Sequence, residues 1–216
     1  MNTEMIAKAE AFLKETFADS TYLQNNPKDR DYRLEHSYRV ANIAKSIAEA
    51  EGFDVTHAVI AGLLHDIAYC EEMSTYEERR NHGRRGAAIA RPFLESLGLS
   101  SDTVNEICYG IAIHVDDEAD FEWERTPFSE TVGDADNIDR FDVYRIYETL
   151  EYLKFSEMSL DKKLEKVFST IEKLSRFQEM NLGTATAKKL WRQRLDYYIG
   201  FYEKLKAQLD GSNSIL

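Results

Sequence analysis

The run Ala58-Val-Ile-Ala-Gly-Leu-Leu64 is apolar on every side and ends in the polar doublet His65-Asp66. Such a run reads as a helix buried all round, not as a half-exposed one. An imidazole and a carboxylate at its end are costly unless each is paired, hydrogen-bonded or bound to a metal. Partners of the same chemical type occur elsewhere: His36 upstream, His82 and His114 downstream, then Asp134-Ala-Asp136. Four of the chain's five histidines belong to this series. The series reads as a metal site.

A helical period runs through nearly every segment, which predicts an all-α fold. A first helix is expected over residues 3–18, with Ile6, Ala9, Phe12, Leu13 and Phe17 on one side. The polar stretch Asp19–Arg33, containing Asn25-Asn26-Pro27, is expected to hold a turn. A second helix starts near Leu34, and His36 falls on its stripe of Val40, Ile43 and Ile47. Gly52 closes that helix, and Asp54 caps the helix leading to His65-Asp66.

A fourth helical segment is expected from Gly86, with Pro92 bending it or marking its true start. Leu97-Gly98-Leu99-Ser100 reads as a stop and a new cap. In the next helix His114 continues the row of Val104, Ile107 and Ile111. After an acidic loop over Asp116–Thr126, Asp136 extends the row of Phe128 and Val132 in the same way. Ligand-type residues thus recur where core residues belong. Amphipathic helices without histidine are expected over Phe141–Leu153, Leu160–Phe177 and Thr184–Leu209, joined at residues 178–183. They would pack on the helical core and either form a homodimer or cover the site.

The chain has 216 residues and a hydrophobic content of 43%, enough for one domain with a real core. A net charge of −12 argues against holding long nucleic acid by its phosphates. It leaves a nucleotide substrate open, because a bound metal supplies local positive charge. Cys70 and Cys108 are too few for a disulfide scaffold and lack zinc-thiolate spacing, so they read as free thiols in a reducing compartment. The N-terminus lacks signal-peptide features, and no apolar stretch approaches the roughly twenty residues that span a bilayer. The expectation is a cytoplasmic protein without membrane contact.

Neutral imidazoles mixed with carboxylates, and no thiolate, suit a divalent ion at a hydrolytic site with open positions. The segments His36-Ser-Tyr-Arg39-Val40, Leu64-His65-Asp66-Ile67 and Gly133-Asp134-Ala135-Asp136-Asn-Ile-Asp139 resemble the HD-domain superfamily of metal-dependent phosphohydrolases. The resemblance covers approximately residues 30–145, leaving residues 146–216 as a C-terminal helical extension of a single helical domain. It implies His36, His65, Asp66 and Asp136 as metal ligands, with Asp136 favoured over Asp134. It also implies His82 and His114 as holders of a second ion, or as substrate contacts. Many relatives carry a lysine three residues after the doublet's aspartate, where this chain has Tyr69.

The implied reaction is hydrolysis of a phosphate ester or anhydride, in a small nucleotide by family resemblance. One or two ions, with Mn, Fe, Mg, Co and Zn all open, would be the cofactor. Asp66 would orient or deprotonate the attacking water. Arg39, one turn from His36, and His114 would neutralise phosphoryl oxygens; a structural ion pair is the plainer role for Arg39. Arg84 and Arg85 are further phosphate candidates, or a solvated basic pair. Asp139 would support Asp136, and His57 stands outside the set. Two other functions fit the same residues: oxygen activation by two irons, and a non-catalytic nucleotide or metal sensor.

Overall fold

A computed structural model describes residues 1–141 and 143–212 of the chain. Among them are eleven α-helices, three short 3-10 turns and no strand. The expected all-α architecture is therefore the observed one. Helix α1 (Thr3–Asp19) is capped by Asn2 and buries Ala9, Leu13 and Phe17. The stretch expected to hold a turn is largely helical. Ser20 caps the short α2 (Thr21–Asn25), and Pro27 opens α3 (Pro27–Glu51). Proline at a helix's first position gives up no hydrogen bond and has a pre-set φ, so α3 begins seven residues before Leu34. Arg33 consequently lies inside α3, one turn ahead of His36.

Gly52 ends α3 at φ +77, and the Asp54 side chain accepts from the His57 N–H to cap α4 (Val55–Leu64). From Ala58 to Leu64 every residue of α4 is buried. A fully buried leucine contributes roughly 1.5–3 kcal/mol. Gly62 lets α4 cross α3 with backbones touching, since a Cβ there would lie 2.8 Å from the Ala41 Cα. Residues Ile67–Cys70 form a 3-10 turn after the doublet. Thr75 and Glu78 form a reciprocal capping box on α5 (Tyr76–Arg80). Helix α6 (His82–Ser96) starts four residues before Gly86 and carries Pro92 in its interior, so that proline is not its start.

Gly98, at φ +73, and the Ser100 cap lead into α7 (Ser101–Ile113), and α8 (Pro127–Asp139) follows the acidic loop. The remaining helices are α9 (Val143–Tyr152), α10 (Leu160–Ser175) and α11 (Ala185–Asp210). Asp142, within the expected helix Phe141–Leu153, lies outside the described residues.

The chain divides into two compact units. The first comprises Met1–Asp139 with Leu182–Ala187. Within it α4 packs against α1, α3, α7 and α8, while α6 packs on α7 and α3 on α8. The apolar helix is thus the centre of the unit, which explains its lack of a polar face. The returning segment is fastened by the Gly183 N–H donating to Asp134 Oδ2 at 2.9 Å and the Thr186 N–H to Glu51 Oε1 at 2.8 Å. The second unit comprises Arg140–Asn181 and Lys188–Leu216. Its aromatic centre sets Phe141 against Trp191 and Phe177, at ring separations of 4.4 and 5.4 Å. No helix among the described residues is long and apolar enough to cross a membrane.

Candidate metal centre

The first unit brings six of the expected residues together from five places in the chain. His36 projects from the middle of α3, and His65 follows the last residue of α4. His82 is the first residue of α6, His114 follows α7, and Asp136 lies on α8. Their side chains are all buried, with Asp66 between them. On one side the Nε2 atoms of His36 and His65 lie 3.3 Å apart, and His36 Nε2 is 3.1 Å from Asp136 Oδ1. On the other side the Nε2 atoms of His82 and His114 are 3.0 Å apart. Asp66 serves both: Oδ1 is 3.0 Å from His82 Nε2, and Oδ2 is 3.6 Å from His36 Nε2. Two groups that could each hold an ion result, His36-His65-Asp66 and Asp66-His82-His114.

The hydrogen bonds behind the rings show that this donor set fits metal ions. His65 Nδ1 faces the Gly62 carbonyl at 2.8 Å, His114 Nδ1 faces that of Ile111 at 2.6 Å, and His82 Nδ1 faces that of Arg79. A carbonyl only accepts, so each Nδ1 carries a proton and each Nε2 is the atom turned toward the cluster. The Nε2 atoms of His82 and His114 face one another and the Asp66 carboxylate, a set of donor atoms that suits a bound cation in a buried place.

Electrostatics separate the two histidines of the first pair. Burial drives the pKa of His65 down to about 4, despite the pull of Asp66, and keeps the ring neutral. Burial also works to lower that of His36, but hydrogen bonds to Asp136 and Asp139 and the charge of Asp66 raise it to about 9. Burial alone would raise the pKa of Asp66; His65, His114, His82 and Arg33 hold it well below the usual carboxylate range.

Residues behind this cluster differ from expectation in one respect. Asp139 supports His36, not Asp136: its Oδ2 lies 2.8 Å from His36 Nδ1. The Arg39 guanidinium donates from Nε to Asp139 Oδ1 at 2.9 Å, the structural ion pair that was one of its two expected roles. The residue that does reach the cluster is Arg33, whose Nη1 donates to Asp66 Oδ2 at 2.7 Å. Its guanidinium lies 3.3 Å from the centre of the Tyr69 ring, and Tyr69 packs against His82 at 4.8 Å. The sequence pattern left Arg33 out because the second helix was expected to start only near Leu34. The spacing of three from His36 was the available signal.

Other candidates are engaged elsewhere. Arg84 donates to Asp116 and Glu118, and Arg85 to Glu71, so neither is a free solvated cation. Asp116 is held by both Arg80 and Arg84, and the loop beyond His114 is pinned there instead of being simply solvated. Asp134 is buried and accepts from Gly183, which leaves Asp136 as the aspartate beside His36. His57 stays outside the cluster, with its nearest acid Asp54 at 3.8 Å.

An all-α unit that converges histidines and aspartates from separate helices is the architecture of a metal-dependent hydrolase. The HD domain family model matches residues 33–144, and the chain belongs to the HD-domain family. Members of that family bind divalent metals and act, in general, as metal-dependent phosphohydrolases. Among solved structures the chain is similar to a predicted HD superfamily hydrolase from an uncultured Thermotogales bacterium. The TM-score is 0.63 at 23% identity, covering 96% of this chain and 99% of the other, which speaks for the fold. Curated relatives include Ribonuclease Y of Mycoplasma mycoides, 42% identical over 62 residues, and Ribonuclease Y 1 of Pediococcus pentosaceus, 41% over 63. These alignments cover 29% of this chain but only 14% and 12% of the relatives.

Proposed function

We propose that the chain hydrolyses a phosphate ester or anhydride of a small molecule, with nucleotides the favoured class, at a site for two divalent ions sharing Asp66. One observation carries this reading: two histidine pairs, at 3.3 and 3.0 Å, converge on one carboxylate, with His36 facing its Oδ2 and His65, His82 and His114 its Oδ1. His36, His65 and Asp136 would serve one ion and His82 and His114 the other, with Asp66 common to both. Bound ions would lower the pKa of a water and neutralise charge developing on phosphoryl oxygen.

The protein's own groups divide the remaining work. Asp66, held well below the carboxylate range, is a weak base, so its role is to ligate and orient instead of taking up a proton. Arg33 is the guanidinium nearest Asp66 and is stacked on Tyr69, which pre-orders it to hold a phosphoryl oxygen next to the ions. Asp139 fixes the His36 ring, and Arg39 fixes Asp139. The net charge of −12 favours small phosphates over long RNA, although the curated relatives are named as ribonucleases.

The test is elemental analysis of protein purified without chelators, with His114→Ala beside it, followed by turnover on nucleoside monophosphates and nucleotide anhydrides. Close to two equivalents of metal, falling to one in the variant, with metal-dependent release of phosphate, is the expected result. Full metal retention and full activity in Asp66→Ala would overturn the reading.

A further inference from the structure

Charge is unevenly shared between the two units. The second carries 14 basic and 11 acidic side chains, the first 13 and 28. A net +3 thus stands against −15, and the excess cations of the second unit gather near the start of α11. Lys188, Lys189 and Arg192 fall within its first eight residues, and its first turn holds no acid. The macrodipole acts within the first turn, which Lys188 closes, and favours an anion beside it. Among the described residues none of these three side chains has an ion-pair or hydrogen-bond partner.

The three cations line a pocket of about 420 Å³ together with Gln178, Asn181 and Trp191. A second hollow of about 270 Å³ shares Gln178, Glu179, Trp191 and Arg192 with it and adds Asp196. Glu179 is the single acid in the larger pocket. The wall is rigid: Trp191 is buried, packs on Phe141 and Phe177, and donates its indole N–H to the Phe177 carbonyl at 3.0 Å. Amide side chains, exposed cations and a fixed aromatic wall in a concave site of this size match what a phosphorylated metabolite requires. Three cations suit an anion of several charges better than a single carboxylate.

We propose that this pocket binds a small molecule bearing a di- or triphosphate group, as a site separate from the histidine and aspartate cluster. Its lining residues all belong to the second unit, and none is among those assigned to hydrolysis. The proposal does not rest on the reading of the metal centre.

Inorganic tripolyphosphate is the probe, titrated calorimetrically into the full chain, into Lys188→Gln/Arg192→Gln and into His82→Ala/His114→Ala. Each lost charge-assisted contact should weaken binding by about tenfold or more. The expected result is that the binding retained by the histidine variant is the binding lost from the first variant, and that it is present in a conservative Lys188→Arg/Arg192→Lys control. Unchanged binding in Lys188→Gln/Arg192→Gln would overturn the proposal, as would loss confined to the histidine variant. Binding of a single-stranded RNA through the same cations, with none of tripolyphosphate, would also overturn it in favour of a nucleic-acid surface.

Discussion

His82 and His114 stand 32 residues apart in the chain, yet their Nε2 atoms meet at 3.0 Å, each ring held from behind by a backbone carbonyl. The contact depends on a missing side chain. A Cβ at Gly83 would lie 2.5 Å from the Ala112 carbonyl oxygen and 3.2 Å from His114 Nδ1.

Gly83→Ala should therefore push α6 away from α7 and part the two histidines. Overpacking of this kind costs about 1–3 kcal/mol. A lower melting temperature together with loss of one metal equivalent is expected, read by calorimetry and elemental analysis on the same sample. Wild-type metal content in a folded Gly83→Ala protein would show that the close approach is dispensable.

Asp139→Asn should leave the fold in place but loosen the His36 ring, whose Nδ1 it holds at 2.8 Å. Loss of such a supporting partner weakens metal binding by about 10–100-fold. Competition against a chromophoric chelator measures the change. Arg39→Ala, acting one bond further out, should give a smaller effect in the same direction.

Arg33→Ala should retain metal and lose turnover, by about 10²–10³ in kcat if the guanidinium stabilises charge on the reacting phosphoryl group. Arg33→Lys should recover only part of it, because an ammonium neither stacks flat on Tyr69 nor reaches two oxygens. Equal kcat in wild type and Arg33→Ala would assign the residue to structure alone.

Metal-free protein should be most stable near pH 6.5. His36 has its pKa raised to about 9 in the fold, so its contribution is complete below its ordinary value of 6.5 and disappears as pH rises through 9. His65 runs the other way. Its pKa is lowered to about 4, so the unfolded chain takes up a proton first, and stability falls as pH drops from 6.5 toward 4. Asp66 and Asp139, both lowered, add to the acid loss. Denaturant melts of chelator-treated protein across this range test the shape. Metal binding near neutrality should also release a proton from His36, measurable by calorimetry in buffers of different ionisation enthalpy.

The sequence by itself determined the helical class, the central position of Ala58–Leu64 and the set of inward histidines and aspartates. Each of these rests on a local period of 3.6, and an imidazole on an apolar row must face the core wherever the helix packs. The caps at Asp54 and Ser100 and the stop at Gly52 were legible for the same reason, since capping is decided within a few residues. What only the tertiary structure decided is which polar groups meet across helices. The assignment of Asp139 to His36, of Arg39 to Asp139 and of Arg33 to Asp66 spans 103, 100 and 33 residues, distances over which periodicity carries no information. Asp134 and Asp136 are alike in local pattern and both buried; a backbone N–H from Gly183 claims the first, and the crossing of α8 with α3 delivers the second to His36. Long-range pairing is set by how helices pack, and packing is fixed by volume and close approach, down to the hydrogen atom that serves as the side chain of Gly83.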